Sequence, residues 1–410
     1  MKEITYAIIG YGGRGRTFAK IALENPQLFT RIVAVAEPNA EKRALAAEEC
    51  NLSPDQVFES ASDMFDKPRL ADAVVVSTLD KLHAQQAIPA MNKGYHVLLE
   101  KPMAVTLEDC LAIEETQRKN NVVVCVCHSL RYHPFYAQLK KIMDSGILGE
   151  IVCIDAMEGV NHIHQSHSFV RGAWGNEEKS TFMLMAKSCH DVDLLSYLVG
   201  KKCERASSFG SLTYFNSSNR PAGAPDKCID GCPAEETCPY HVLKVYVENK
   251  FWRGLFAGMN LSEEALTEFL VSGPYGRCVF GCDNDVVDHQ VASFEYEGGA
   301  TATFTMTAFH PGGRFIRVHG TQGYIIGDME ARTLIHTDFA SGIITRTEVP
   351  SMEGGHGGGD YLVMKSLTEA IRKDDPTAVL TTAQESLSTH KIVFAAETAR
   401  KEKRVVEVKG

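Results

Sequence analysis

A glycine-rich turn near the start of the chain has the residue types and spacing that could hold a dinucleotide. It comprises Gly10, Gly12, Gly13, Arg14 and Gly15. Its glycines allow a tight strand-to-helix turn, a close approach of the backbone to a pyrophosphate and close packing of the helix, whose N-terminus receives the phosphates. Roughly twenty residues further on, the Glu37 carboxylate could accept hydrogen bonds from the adenosine ribose hydroxyls and would repel a 2′-phosphate. The spacing therefore predicts a nucleotide site that favours NAD over NADP.

A second group of polar side chains is suited to a sugar. It comprises Glu158, His162, His164, His167, Arg171 and Trp174. Sugar hydroxyls take hydrogen bonds from such side chains, while an apolar sugar face stacks on an aromatic ring such as Trp174. We expect His167 and Arg171 to bind substrate; the alternative is a surface loop whose arginine pairs with a nearby carboxylate. A metal held by the three histidines is less favoured, because their spacing resembles no standard ligand pattern.

Three cysteines and one histidine lie close together in a segment rich in Gly, Pro, Asn and Asp. They are Cys228, Cys232, Cys238 and His241. Zinc takes four nitrogen or sulfur ligands in a tetrahedron, and a short Gly/Pro loop can supply them. The pattern indicates a structural zinc site in an irregular insertion over about residues 216–241, remote from the nucleotide. Reduced loop thiols or an adventitious disulfide are the alternative.

The elements that must position the glycine turn are short apolar strands alternating with helices. We predict strands at Ile4–Ile9, 32–36, 73–77, His96–Leu99 and 122–127, and the first helix at 16–23. Near-continuous Val, Ile and Leu runs of this length are typical of a parallel sheet buried on both faces. The pattern predicts an α/β fold whose N-terminal part, residues 1–127, is a doubly wound dinucleotide-binding (Rossmann) domain.

The pattern changes after residue 127. Strands of alternating character at 300–308 and 315–319, with Gly-rich turns and fewer helices, predict a C-terminal α+β domain over residues 128–410. We expect its sheet to be open-faced and largely antiparallel. A helix at 383–403 and a short strand at 405–408 complete the prediction.

Composition narrows the class of partner. A net charge of −10 with no Lys/Arg-rich run argues against nucleic acid and anionic membranes, which leaves small molecules. The first core strand begins at Ile4, and no apolar stretch reaches the length of a membrane span, so we expect a cytoplasmic protein. Several of the twelve cysteines lie in apolar strands, for example Cys125 and Cys127, and we expect most to be reduced and buried.

At Glu100, Lys101 and Pro102, which close the strand His96–Leu99, the chain resembles the Gfo/Idh/MocA family of nicotinamide-dependent sugar and polyol oxidoreductases. Further matching residues are Thr78, His83, Arg131, Tyr132, His190, Asp191 and Asp193. The resemblance implies that Lys101 lies beside the substrate hydroxyl and the nicotinamide, with Pro102 commonly cis. It also implies cofactor contacts for Thr78, His83, Glu100, Lys101 and Arg131, and a substrate contact for Tyr132.

The resemblance further implies a homodimer or homotetramer, formed through the exposed face of the second-domain sheet. Phe304 and Met306 fit a face covered in this way, although an internal core explains them equally well.

The proposed chemistry explains why a lysine and a histidine are needed. Oxidation of a secondary alcohol removes the hydroxyl proton while hydride leaves the carbon, and a cation such as Lys101 stabilises the developing alkoxide charge. His190 is the candidate base because the ordinary pKa of histidine lies near neutrality. Many family members carry an Asp four residues before this histidine, where this chain has Ala186. Lys187 stands three residues before His190, on the same face of the expected helix. It could replace that carboxylate in binding substrate, or could be the base if burial lowers its pKa.

The sequence therefore predicts an NAD-dependent dehydrogenase of a sugar, glycoside or cyclic polyol. An alternative is an NAD-recycling glycosidase, which oxidises a sugar hydroxyl transiently, eliminates the aglycone and adds water, with Tyr132, His133 or the extra histidines as further acid or base. A third possibility is a non-catalytic NAD sensor, which only the absent Asp supports. Retention of Lys101 and His190 argues against the sensor.

Overall fold

The computed structural model describes residues 2–249 and 262–409. A six-stranded parallel sheet forms the N-terminal part, with the strand order β3-β2-β1-β4-β5-β6. Its strands are β1 (Ile4–Ile9), β2 (Thr30–Ala36), β3 (Val57–Phe58), β4 (Ala73–Val76), β5 (His96–Leu99) and β6 (Val124–Val126). The predicted Rossmann sheet is confirmed. The two-residue strand β3 is too short to give a periodic signal, and the prediction missed it.

Helices cover both faces of this sheet, as its continuous apolar strands require. They are α1 (Gly13–Glu24), α2 (Ala40–Glu49), α3 (Ala61–Phe65), α4 (His83–Asn92) and α5 (Leu107–Asn120). Side chains of β1 alternate between two apolar clusters, one on each face: Ile8 belongs to one and Ile9 to the other. The first helix begins at Gly13, three residues before the predicted start, because the glycine turn itself provides its first residues.

The second part contains a nine-stranded sheet with the order β14-β13-β12-β11-β7-β10-β9-β8-β15. Its strands are β7 (Ile151–Gly159), β8 (Cys203–Ser211), β9 (His289–Tyr296), β10 (Thr301–Thr307), β11 (Gly313–Gly320), β12 (Gly323–Asp328), β13 (Thr333–Asp338), β14 (Ile344–Glu348) and β15 (Val406–Glu407). All neighbouring strands are antiparallel except β7 and β10, which run parallel. The predicted α+β domain with a largely antiparallel sheet is confirmed.

The remaining helices connect or cover this sheet. They are α6 (Ser129–Tyr132), α7 (Pro134–Asp144), α8 (His162–Ser166), α9 (Met183–Ala186), α10 (Cys189–Val199), α11 (Glu263–Ser272), α12 (Gly359–Lys373) and α13 (Ala383–Glu402). Two π-helical turns lie at His167–Arg171 and Leu243–Glu248. Within the described ranges, no helix has both the length and the apolar character needed to cross a bilayer.

The two faces of the nine-stranded sheet differ. Phe304 and Met306 are fully buried in the apolar cluster that also contains residues of α10 and α13, so the internal core explains them. The opposite face exposes apolar side chains, including Phe209, which is 73% accessible, and Val291 and Ile326. A subunit contact through this face remains a prediction.

Helix α12 returns to the first sheet. Its residues Val363, Met364 and Leu367 pack in the same apolar cluster as Tyr6 of β1, and the Tyr6 and Thr368 hydroxyls lie 2.8 Å apart. The predicted domain boundary at residue 127 thus separates two sheets, but a C-terminal helix belongs physically to the N-terminal core. This crossing helix brings the preceding glycine-rich segment to the cleft between the two sheets.

We expect Gly15→Ala to lower the free energy of unfolding by about 1–3 kcal/mol, the usual cost of overpacking. A Cβ at this position would overlap the carbonyl oxygen of Gly10. Gly13→Ala is the matched control, since nothing lies within 4 Å of a Cβ there. Urea denaturation of the three proteins measures the difference. Equal stability of the two variants would contradict the packing role of Gly15.

Candidate active site

The glycine turn has the shape that a dinucleotide phosphate needs. Gly10 has φ +87°, and a Cβ on it would lie 2.8 Å from the Thr78 side chain. Gly12 and Gly13 instead face open space. No side chain caps the N-terminus of α1 at Gly12, so its first backbone N–H groups remain available to phosphate oxygens. The turn therefore fits a pyrophosphate.

Glu37 is buried at the end of β2, beside this turn. Its carboxylate accepts hydrogen bonds from the backbone N–H groups of Tyr11, at 2.7 Å, and Asn39, at 2.9 Å. The acid therefore fixes the loops around the position predicted for the adenosine ribose. Its negative charge at this edge fits NAD, because a 2′-phosphate would be repelled.

The predicted catalytic residues meet in one cleft at the carboxyl ends of β4 and β5. Lys101, Lys187 and His190 line it together with predicted cofactor residues. The cleft is also lined by Arg14, Thr78, Glu100, Asp80, His164, Phe169, Trp174 and His356. This edge of a doubly wound sheet is where such folds bind their ligands.

Lys101 follows β5 and reaches across the cleft. Its Nζ donates to the carbonyl oxygen of Ala186 at 2.5 Å. Helix α9 ends at Ala186, so this carbonyl has no partner within the helix and can accept from Lys101. The peptide bond between Lys101 and Pro102 is cis, as the resemblance implies. His83 is fully buried, and its Nδ1 lies 2.7 Å from the Pro102 carbonyl oxygen. His83 therefore contacts the backbone next to Lys101, and it is not among the residues that line the cleft.

Lys187 and His190 do not share one continuous helix, contrary to the prediction. Helix α9 ends at Ala186 and α10 begins at Cys189, with Lys187 and Ser188 at the break. Both side chains still reach the cleft, because the break turns Lys187 inward. Its Nζ lies 2.9 Å from a carboxylate oxygen of Glu158, at the end of β7.

Burial dominates the electrostatics of Lys187. It lowers the lysine pKa below its ordinary value; the Glu158 carboxylate opposes this shift, while Arg314 and Lys101 add to it. Lys187 is therefore more easily deprotonated than an exposed lysine.

Arg314 of β11 completes the cluster and was not predicted from the sequence. Its guanidinium donates to Asp191 at 2.7 Å, to Glu158 at 2.5 Å and to Nε2 of His190 at 2.9 Å. Guanidinium can only donate, so Nε2 of His190 accepts from Arg314 in the tautomer protonated at Nδ1; an Asp191 carboxylate oxygen lies 3.2 Å from the same Nε2. Burial, then Arg314 and Lys101, hold the His190 pKa well below its ordinary value. His190 is thus a neutral ring whose Nε2 is already occupied.

Glu158, His190 and Asp191 are close enough together to hold a metal ion, the one such group found in the described ranges. The Arg314 guanidinium contacts all three, with its Nη2 3.3 Å from the second Asp191 oxygen. The protein's own cation therefore already occupies the position that a metal would take.

Arg14 connects Glu100 with Asp360 at the cleft. The sequence predicted it only as a cofactor residue of the glycine turn. Its Nε donates to Glu100 at 2.6 Å, and its terminal nitrogens donate to Asp360 at 2.6 and 2.9 Å. Nδ1 of His356 lies 3.0 Å from the same carboxylate. Burial alone would raise the Asp360 pKa, but the hydrogen bonds from Arg14 and His356 hold it below its ordinary value.

Trp174 and His164 form the wall opposite the glycine turn. The Trp174 indole N–H donates to Asp80 at 2.9 Å, which fixes the ring at the cleft. Burial, with a smaller effect of Lys187, lowers the His164 pKa to about 3. A fixed aromatic face beside neutral and cationic donors suits a polyhydroxylated ligand.

Arg131 and Tyr132 do not line this cleft, contrary to the cofactor and substrate contacts that the resemblance implied. Arg131 is buried and makes a bidentate ion pair with Asp193, at 2.7 and 2.8 Å. The Tyr132 hydroxyl accepts from the backbone N–H of Leu380 at 2.9 Å. Both residues thus tie α6 to α10 and to the segment that leads into α13.

His167 and Arg171, predicted to bind substrate, are not among the residues that line the cleft. Nδ1 of His167 lies 2.9 Å from the Tyr246 hydroxyl. Arg171 donates to the backbone carbonyls of Arg277 and Tyr240, both at 2.7 Å. The π-helical turn that holds them instead presents Ser168 and Phe169 to the cleft.

The predicted zinc ligands lie in the insertion, outside the cleft. His241 is fully buried, and its Nε2 lies 2.9 Å from the Cys228 carbonyl oxygen. The ring is therefore held by the loop backbone on that side. Two further cysteines, Cys278 and Cys282, join this region from a distant part of the chain and were not predicted to do so.

Family comparisons identify both parts of the chain. Residues 4–128 match the model of an oxidoreductase family described as an NAD-binding Rossmann fold. Residues 140–408 match the model of the same family's C-terminal alpha/beta domain.

Among curated relatives, YteT of Bacillus subtilis is 25% identical over 336 residues, 76% of each chain. A 2,7-anhydro-N-acetylneuraminate hydratase of Mediterraneibacter gnavus is 26% identical over 51% of this chain and 53% of its own. An inositol 2-dehydrogenase of Gluconacetobacter diazotrophicus is 35% identical over 31% of this chain and 37% of its own. The last two similarities thus span about half of those proteins or less.

Solved structures share the whole fold. A levoglucosan dehydrogenase in complex with NADH and L-sorbose has a TM-score of 0.75 and 18% identity, with all of both chains covered. An oxidoreductase domain protein from Kribbella flavida gives the same TM-score, identity and coverage, 0.75, 18% and 100% of each chain. At this identity, the likeness extends to the fold alone.

Proposed function

The chain belongs to the Gfo/Idh/MocA family of NAD-binding oxidoreductases, and from that premise we propose that it oxidises a secondary hydroxyl of a sugar, glycoside or cyclic polyol. The observation that carries this proposal is the convergence of Lys101, Lys187 and His190 on one cleft, beside an open glycine turn that fits the cofactor. When bound, NAD supplies the hydride acceptor.

Lys101 is proposed to bind and polarise the substrate hydroxyl. Without substrate, its Nζ donates to the Ala186 carbonyl, which leaves further N–H donors for a second oxygen in the cleft. A cation held in place by β5 and α9 stabilises negative charge as it develops on the substrate oxygen. The apolar face of the substrate would lie against Trp174.

Lys187 is proposed to take the hydroxyl proton. Its burial favours the neutral amine, and neutral lysine is a stronger base than imidazole. His190 is the weaker candidate, because Nε2 accepts from Arg314 and the surrounding cations oppose protonation of the ring. Its Nδ1 then carries the proton, and His190 is a hydrogen-bond donor to substrate rather than the base. Glu158, shared by Lys187 and Arg314, balances their charge.

The test is an assay of purified protein with NAD and a panel that includes myo-inositol, levoglucosan, L-sorbose and aryl glycosides. We expect absorbance at 340 nm to rise with at least one polyol or sugar, and the rise to be absent without NAD. An Asp80→Ala variant, which frees the Trp174 indole, is expected to raise KM for that compound more than it lowers kcat. Binding of NAD without turnover of any hydroxyl compound would contradict the dehydrogenase and favour a sensor.

A second candidate is an NAD-recycling enzyme with no net NADH production, as in the glycosidase alternative. Two observations favour it. The name of one relative denotes a hydratase of an anhydro sugar. A second cavity, lined by His133, Arg314 and His356, adjoins the cleft and could place an additional acid or base near the substrate. Aglycone release or water addition that requires NAD without NADH accumulation would select this candidate.

A further inference from the structure

The second cavity, beside the candidate active site, has a volume of about 370 Å³. It is bounded by the junction of α6 and α7, by the turn between β12 and β13, and by the segment between β14 and α12. His356 lines this cavity and the cleft alike. Arg314 lines the cavity and donates to Nε2 of His190, which lines the cleft. The two spaces are therefore neighbours that share a wall.

The cleft by itself is small for a substrate and a cofactor together. Its volume is about 210 Å³, and Thr78, Glu100 and Lys101, which line it, are predicted cofactor contacts. Ligand sites usually enclose about 300–1,000 Å³. A cleft of this size that also admits the nicotinamide has room for little more than one sugar ring. Any further unit of the substrate must leave the cleft, and the larger second cavity adjoins it.

Two largely buried side chains present unused hydrogen-bond donors to the second cavity. Arg314 bonds the active-site cluster through Nε and Nη2, and its Nη1 makes no hydrogen bond within residues 2–249 and 262–409. Nδ1 of His133 accepts from the Phe135 N–H at 3.1 Å, so Nε2 carries the hydrogen. Burial, with smaller effects of Arg314 and His356, lowers the His133 pKa to about 4, so the ring is neutral. Buried donors normally have partners, and these two indicate a ligand with acceptor oxygens.

Arg332 adds a third donor at the rim of the cavity. Its φ is +53°, a conformation that glycine or asparagine adopts at lower cost. The turn is fixed by two backbone bonds, from Arg332 N–H to Met329 at 3.2 Å and from Val349 N–H to Arg332 at 2.8 Å. The exposed guanidinium makes no ion pair with any described residue. An arginine at so unfavourable a turn position, with its charge unpaired, indicates a role in binding.

The remaining lining of the second cavity suits an uncharged sugar. Glu330 supplies a carboxylate acceptor, and its charge offsets that of Arg332. The charge of Arg314 is already compensated by Asp191 and Glu158. Apolar side chains line the rest, among them Leu130, Met329, Val349 and Met352. Donors, an acceptor and apolar surface are what the hydroxyls and the C–H face of a sugar ring require.

We propose that the substrate spans both cavities: its reacting unit lies in the cleft, and a second, glycosidically linked sugar unit is held by His133, Arg314 and Arg332. This inference rests on the proposed function and narrows it to a disaccharide or larger glycoside, in preference to a free cyclic polyol. The reaction is unchanged, since the unit in the cleft gives its hydroxyl proton to Lys187 and its hydride to NAD. The second unit makes and breaks no bond; it contributes binding energy that orients the first.

The first test compares matched substrates in the NADH assay. Each pair shares one candidate reacting unit: methyl β-glucoside with cellobiose, methyl α-glucoside with maltose, and methyl β-galactoside with lactose. We expect kcat/KM to be at least about tenfold higher for the disaccharide in one or more pairs, the effect of one or two added hydrogen bonds.

Two variants test where the second unit lies. Arg332→Ala should lower kcat/KM for the preferred disaccharide about tenfold and leave the methyl glycoside unchanged. Ser351→Trp, at an exposed position that lines the second cavity, should obstruct that cavity and discriminate in the same way. Arg346→Ala is the matched control, an exposed arginine of β14 that is not among the lining residues, and should match the parent protein with both substrates.

Failure of this inference and failure of the dehydrogenase give different results. Equal kcat/KM within every pair, or variants that affect both members of a pair alike, would overturn the two-cavity substrate and leave the dehydrogenase standing. If no compound is turned over, calorimetric titration of the disaccharides into NAD-loaded protein decides. Binding that Arg332→Ala weakens and Arg346→Ala does not would support the second cavity as a sugar site and overturn the dehydrogenase. Absence of both turnover and binding would overturn both.

Discussion

Lys187→Met is expected to lower kcat/KM for the hydroxyl substrate by about 10²–10⁴-fold, the usual contribution of a positioned general base. Methionine preserves the length and apolar stem of the side chain but cannot accept a proton. The remaining activity would depend on transfer to water or to a weaker base. Steady-state NADH formation measures the loss, with the exposed Lys179→Met as a control that should leave the rate unchanged.

The pH profile distinguishes a base from a residue that only binds. Lys187 must be neutral to accept the proton, so kcat/KM should rise with pH and level off above the Lys187 pKa. Burial places that point below the ordinary lysine value. In Lys187→Met the rising limb should disappear. Lys187→Arg keeps the cation beside Glu158 but cannot deprotonate near neutrality, and it should be as inactive as the methionine variant.

Two results would contradict this assignment. Recovery of activity in Lys187→Arg would show that the cation, rather than the proton acceptor, is needed. Persistence of the rising limb in Lys187→Met, together with its loss in His190→Gln, would return the role of base to His190. The second result would require that substrate or NAD binding displaces Arg314 from Nε2 of that ring.

Local patterns account for the residues that the sequence could locate. The glycine turn, Glu37 and Lys101 each stand directly at the end of an apolar strand, so their position follows from the strand alone. Because parallel strands present their carboxyl ends at one edge, strand order need not be known to bring the glycine turn and Lys101 together. Their placement in one cleft was therefore within reach of sequence reasoning.

The site residues that the sequence did not predict are placed by contacts between segments that are distant in the chain. Arg314 reaches His190 only because β11 pairs with β7, which puts Arg314 opposite Glu158 in the register. Asp360 and His356 lie beside the cleft because α12 packs on the first sheet. The sequence does carry one signal for these two residues: His356 lies within a run of glycines that ends directly before Asp360. In the structure His356 has a φ of +49°, which marks an unusual turn.

Two residues that the sequence did predict as substrate contacts, His167 and Arg171, are directed elsewhere in the structure. His167 and Arg171 lie in the segment predicted to contact substrate, and that segment does border the cleft. The π-helical turn instead places Ser168 and Phe169, both buried, at the wall of the cleft. A π turn shifts the helical period locally, so which residues face a ligand cannot be derived from the 3.6-residue spacing. The break at Lys187 and Ser188 had the same effect on the expected Lys187–His190 face.

Lys101→Met is expected to lower kcat by about 10²–10³-fold, the usual cost of removing one donor to a developing oxyanion. The cation acts mainly as charge builds on the substrate oxygen, so kcat and kcat/KM should fall together and KM should change little. NADH binding, followed by its fluorescence, should persist, since Glu37 and the glycine turn are untouched.

The variant also removes the contact with the Ala186 carbonyl, so a structural effect must be separated from a chemical one. Lys101→Arg can still donate to that carbonyl and remains cationic, and we expect partial rescue with the same melting temperature as the parent protein. A substrate deuterated at the reacting carbon should show a larger isotope effect in Lys101→Met, because hydride transfer becomes slower than product release. A rise in KM at constant kcat would instead mean that Lys101 binds substrate equally in the ground and transition states, and the catalytic role would then pass to Lys187 and His190 alone.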